Sequence, residues 1–169
     1  MGIDLELADV AAARYQLDSC EGSGRPCAHA PGCAENLCRL LGRGPSKFPY
    51  RRFRDINENM RLTGMGYQAE PETETILANA PDNEQAQPDR ASAHLRWRSQ
   101  TVPGKTGIPA FKLESNDRWL VTTREIDEAL AAYAQVSAEQ RAVLETDPKW
   151  VSWLEWLALA RERGGFEAE

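Results

Sequence analysis

The chain has 169 residues, 41% of them hydrophobic and 27% charged, with a formal net charge of −6. That length can bury about 70% of its unfolded surface, so the fold does not depend on covalent staples throughout. The acidic balance excludes a protein that coats nucleic acid with its whole surface, and leaves room for a local basic patch.

The N-terminus carries neither the basic region nor the apolar run of a signal peptide. Gly2 is followed by Glu6 where a myristoylation motif needs Ser or Thr. No apolar run approaches the length of a membrane span. The expected compartment is the cytoplasm, where thiols stay reduced.

In chain order, Ile3, Leu7, Val10 and Leu17 recur at helical spacing and predict an amphipathic helix over 3–18. A turn-rich loop with Gly22, Gly24, Pro26 and Pro31 follows, then a short helix over 33–41 stopped by Gly42, Gly44 and Pro45. Residues 39–61 form a basic arm. Arg39, Arg43, Lys47, Arg51, Arg52, Arg54 and Arg61 outnumber Asp55 and Glu58, and Phe48, Tyr50 and Phe53 are interleaved with them. Residues 66–89 hold six acidic residues and no basic one, and Pro71, Pro81 and Pro88 break the run. With Ile76 and Leu77 as its large aliphatic residues, this stretch reads as a linker or loosely held loop.

Asp89 predicts a cap for a helix over 90–100 that packs through Ala93, Leu95 and Trp97. Residues 108–113 and 118–122 alternate around Ser115-Asn116-Asp117, the pattern of a β-hairpin. Thr122 with Glu125 forms a capping box for a helix to about Gln135, buried through Ile126, Ala129, Leu130 and Tyr133. Ser137 with Gln140 offers a second box for a short helix to Glu145. Asp147 and Pro148 start a last helix over 148–163, ended by Gly164 and Gly165. Trp150, Trp153, Leu154 and Leu157 share one face of it, with Trp156 and Leu159 nearer the polar positions. The predicted fold class is α+β, mainly helical, with a small β-hairpin and an N-terminal Cys-rich metal-binding loop. The expected organisation is an N-terminal module over 1–61, an acidic linker over 62–89 and a main core over 90–169.

Four cysteines, Cys20, Cys27, Cys33 and Cys38, fall within 19 residues, with His29 among them. Thiolate and imidazole are the ligands zinc prefers, and four of them close a tetrahedral structural site. The glycines and prolines between them permit tight turns, and a metal would compensate for a segment poor in apolar residues. His29 is the substitute ligand should one cysteine be displaced. An iron–sulfur cluster would use the same four thiolates; reduced cysteines buried as small side chains are the plainest alternative, and disulfide or redox chemistry is a third. The spacing Cys-x6-Cys-x5-Cys-x4-Cys, with Ser23-Gly24-Arg25-Pro26-Cys27 in its middle, is similar to the CCCH zinc fingers that bind single-stranded RNA. The resemblance covers about 20 residues. It implies a structural zinc and contact with RNA. The fingers have His after three residues where this chain has Cys38 after four, and the cluster lacks the aromatic residues on which those fingers stack bases.

In the arm, Arg43, Lys47, Arg51, Arg52 and Arg54 suit phosphate and Tyr50 suits stacking on a base. The acidic stretch that follows can instead neutralise the arm within the molecule. Trp156 and Leu159, at the edge of the last helix, are candidates for a surface that meets a protein partner or a second copy of the chain. The common enzyme signals mostly fail. Gly104-Lys105-Thr106 resembles the end of a phosphate-binding loop, but position 99 is Ser, and Pro109 opposes the helix that must follow. There are two histidines, His29 and His94, and no nucleophile elbow.

The sequence therefore predicts a non-catalytic, zinc-stapled, nucleic-acid-associated regulatory or mobile-element (phage) accessory factor. The alternatives are a protein–protein adaptor or inhibitor that uses the tryptophan helix, and a small metal- or Cys-dependent enzyme.

Overall fold

A computed structural model describes residues 3–12, 47–50, 54–72, 87–115 and 117–168. Helix and strand are mixed, as an α+β class requires. Strand β1 is Ile3–Leu7 and is followed by helical backbone over 8–12. Strand β2 is Lys47–Tyr50, helix α1 is Arg54–Leu62 and strand β3 is Gly66–Tyr67. Helix α2 is Gln87–Arg98, strand β4 is Ile108–Pro109, helix α3 is Phe111–Glu114 and strand β5 is Leu120–Val121. The chain then runs through helices α4 (Thr123–Ala134), α5 (Ala138–Leu144) and α6 (Pro148–Glu162) to strand β6 (Phe166–Ala168).

The main sheet has the order β2-β1-β6-β5. All its pairings are antiparallel, with Leu5 opposite both Phe48 and Ala168, and Val121 opposite Phe166. Residues 3–7 were expected to open a helix and instead form a strand. Leu5 and Leu7 alternate with Asp4 and Glu6, and a period of two places both leucines on one face; each is fully buried.

The hairpin expected at 108–122 is absent. Strand β4 pairs in parallel with β3, Gly66 to Ile108, while β5 joins β6. Between them the chain coils into α3, which buries Phe111, Lys112 and Leu113 in succession, an arrangement that strand alternation would forbid. Strand β3 also shows that the acidic stretch is held at its start, where Gly66 and Tyr67 pair with β4 directly after the fully buried Met65. Residues 73–86 of that stretch lie outside the described residues.

The four helices expected in the C-terminal half form at α2, α4, α5 and α6. Thr122 closes a complete capping box with Glu125, Ser137 accepts from the Gln140 amide, and Asp147 accepts from the Lys149 amide with Pro148 in the first turn. On α2, Ala93 is buried and Trp97 half-buried, but Leu95 stands 52% exposed. After α6, Gly164 and Gly165 lead directly into β6, which no periodicity announced.

Helix α6 organises the core. Trp150, Trp153 and Leu157 are fully buried. Trp153 meets Phe48 at 5.7 Å and Phe166 at 6.0 Å between ring centroids. Trp150 packs edge-on to Tyr133 and donates its indole N–H to the Tyr133 hydroxyl at 3.2 Å, joining α4 to α6. Leu5, Leu7, Val10, Ile56 and Met60 complete the same cluster. On the opposite face of the sheet Glu6 and Glu167 are cross-strand neighbours. Arg98 from α2 closes on Glu167 at 2.6 Å, and Arg118 reaches it at 3.2 Å.

Candidate functional site

Cys20, Cys27, Cys33, Cys38 and His29 lie outside the described residues, as do Arg43, Arg51 and Arg52. Lys47 and Tyr50 bound β2, an edge strand of the main sheet. Their backbone register sets Tyr50 opposite Ile3 and Lys47 opposite Glu6. Arg54 is the first residue of α1. The chain that holds the cysteines thus leaves the sheet at β1 and returns at its immediate neighbour.

Trp156 is core in this fold. It is 4% exposed and lies 5.6 Å from Phe48 and 6.3 Å from Phe166 between ring centroids. Leu159 is half-buried against the same cluster. The strands explain the difference from the helix wheel, because β2 and β6 bring rings onto a flank of α6 that the isolated helix would leave open.

Two polar centres lie within the described residues. The Lys112 amine is fully buried. It donates to Glu125 Oε1 at 2.8 Å, to Oε2 at 3.0 Å and to the Leu120 carbonyl at 2.8 Å. Burial holds the amine below the usual lysine range, outweighing the opposing pull of Glu125. Glu125 is also engaged by the Thr122 amide and hydroxyl at its Oε2. With three acceptors around the buried Lys112 amine, this pair fixes β5 and α3 against the start of α4. The second centre is aromatic. Trp97 and Trp119 approach to 4.4 Å and Phe111 meets Trp119 at 4.9 Å, with exposed His94 beside Trp97 at 6.0 Å. Trp97 donates to the Glu72 carbonyl, so the stack holds the segment after β3. Among the described residues no group of three or more His, Cys, Asp or Glu is placed to hold a metal ion, and no helix is long and apolar enough to cross a membrane.

An open groove between the end of α1 and helix α5 went unnoticed in the sequence. Leu62, Val136, Val143 and Leu144 line it, with Glu139 on its wall, and its volume is about 320 Å³. Ile56 and Met60, four apart in the run Arg54–Leu62, carry the helical signal for α1 among charged neighbours. No protein-family model, curated protein or solved structure matches the chain.

Proposed function

We propose that the chain is a non-catalytic binding protein in which Cys20, Cys27, Cys33 and Cys38 hold a structural zinc, with His29 as substitute ligand, and the basic arm contacts nucleic acid. The observation that carries this reading is the placement of the cysteine-bearing stretch between β1 and β2. These strands are paired neighbours, so both ends of a long excursion are tied at one place, with Glu6 opposite Lys47. Closing so long a loop costs chain entropy, and four thiolates on one zinc offset that cost within the loop itself. The arm spans the point where the excursion returns, from Arg39 and Arg43 through Lys47, Tyr50, Arg51 and Arg52 to Arg54 at the head of α1. Such a sequence of charge and ring suits a single strand of RNA or DNA. A regulatory or accessory role in the handling of nucleic acid follows from that chemistry.

The test is elemental analysis of protein purified without chelator, paired with anisotropy titrations against single-stranded RNA at several salt concentrations. One zinc per chain, lost in a variant with Cys27→Ser and Cys33→Ser, is expected. Neutralising Arg51, Arg52 and Arg54 to Gln should weaken RNA binding at least about tenfold and flatten its salt dependence. Metal well below one per chain would overturn the zinc reading. Binding indifferent to the three arginines would overturn the role of the arm.

A further inference from the structure

The large hydrophobic side chains exposed among the described residues are Leu62, Leu95 and Val143, and two of the three line one groove. Leu62 is 66% and Val143 70% exposed. Scattered singly such residues mean little, but together on a concave wall they mark a contact surface. The fold presents them deliberately. Helix α1 ends at Leu62, its end closed by the Thr63 hydroxyl on the Asn59 carbonyl at 2.7 Å, and Gly64 turns the chain away at φ 73°. Helix α5 has no fully buried residue; Leu144 packs half-buried against the core, and Val143 stands exposed at the groove.

We propose that this groove receives the apolar face of a cationic amphipathic helix from a partner protein. The walls are helices, α1 and α5, and the β-strands are not among the lining residues, so an added helix fits where an added strand has no edge to pair with. The volume suits about two leucine-sized side chains, one turn apart on the incoming helix. Charge selects its flanks. Glu139 is the charged residue on the wall, and among the described residues no cation pairs with it; its carboxylate is held by its own backbone amide and by Ser137. Nearby Glu58 and Arg61 satisfy each other at 2.6 Å. The unneutralised charge at the groove is negative, and the whole chain carries −6, so Lys or Arg flanking the apolar stripe are drawn in. The same charges disfavour a second copy of this chain, which would bring another Glu139 and another −6. The groove contains no cysteine and no residue of the basic arm over 39–61, so the inference stands apart from the zinc reading.

The experiment uses the full chain and a synthetic labelled helix of about four turns, with leucines at i, i+3, i+4 and i+7 and lysines elsewhere. Two controls replace every lysine by glutamate, or scramble the lysine peptide so that its leucines no longer share a face. Anisotropy should show binding of the first peptide, and binding at least tenfold weaker for each control. Leu62→Glu and Val143→Glu should each weaken binding at least tenfold with an unchanged melting curve, because both side chains already face solvent. Glu139→Gln should weaken it about threefold and reduce its salt dependence. Equal affinity for the glutamate or scrambled peptide would overturn the proposal, as would a Leu62→Glu chain that binds like the parent. Sedimentation showing a dimer that Val143→Glu dissolves would overturn it in favour of a second copy.

Discussion

The Glu128 carboxylate accepts the Gly107 amide at 3.0 Å and Arg124 Nε at 2.9 Å. The backbone donor first, and the arginine second, hold its pKa below the ordinary glutamate value of 4.5. A carboxylate depressed in the folded state stabilises the fold above its unfolded pKa, and that contribution is lost as pH falls through the folded one. Glu128→Gln should therefore cost stability at pH 7, and its denaturation midpoint should decline less steeply than the parent's as pH drops below about 4.5. Parallel acid profiles for the two proteins would refute this. Trp156 makes a different point at the same scale. Its burial between Phe48 and Phe166 makes it as much a core residue as Trp153. Replacing either by Ala should cost about 3–5 kcal/mol, the usual range for a buried large aromatic, read from chemical melts. A Trp156→Ala protein that melts like the parent would return the residue to the surface. The helix wheel had put Leu154 inside and Trp156 at the margin. It could not see rings arriving from β2 and β6, two strands distant in sequence from each other.

Elements with local signals were legible in the sequence: Thr122 with Glu125, Ser137 with Gln140, and Asp147-Pro148 each start a helix where the side-chain pattern places it. These are short-range effects, complete within one turn. Strands β3 and β4 were invisible because two residues carry no periodicity, and their parallel pairing joins Gly66 to Ile108 across a distant stretch of chain. Strand β1 was misread because Ile3, Leu7 and Val10 fit a helical period while Leu5 and Leu7 fit a strand, and only pairing with β2 and β6 decides between them. The cysteine cluster was legible only as ligand chemistry, its residues lying outside the described ones, and the helix-lined groove was not legible, since its walls come from residues about 75 positions apart. The junction of α6 and β6 tests the element scale directly. At Gly165, φ is 102° and an added Cβ would lie 2.1 Å from the Val121 carbonyl oxygen, whereas at Gly164, φ is 85° and nothing stands within 4 Å. Gly164→Ala should lose about 1–2 kcal/mol from the left-handed backbone alone. Gly165→Ala carries that strain and forces β5 from β6 as well, so it should lose at least about 2 kcal/mol more. Equal losses would show that the two strands part without cost.

At the scale of the whole molecule, the main sheet is built from segments near both ends of the described chain. Leu5 faces Ala168 and Leu7 faces Phe166, and the core mixes Leu5, Leu7, Ile56 and Met60 with Trp153, Leu157 and Phe166. Strand β6 sits between β1 and β5, so the residues that follow α6 complete two pairings at once. This order has a consequence for how the protein is made. On a ribosome β1 emerges first and meets β2 within seconds, but its other edge waits for β6. At about 5–20 residues per second, that delay is on the order of ten seconds. Throughout it the nascent chain carries Leu5 and Leu7 on an open strand beside an unfinished core, available to neighbouring chains on the same message. Yield during synthesis would then be set by how long translation leaves that edge uncovered, and slower translation of the C-terminal half should favour aggregation over folding.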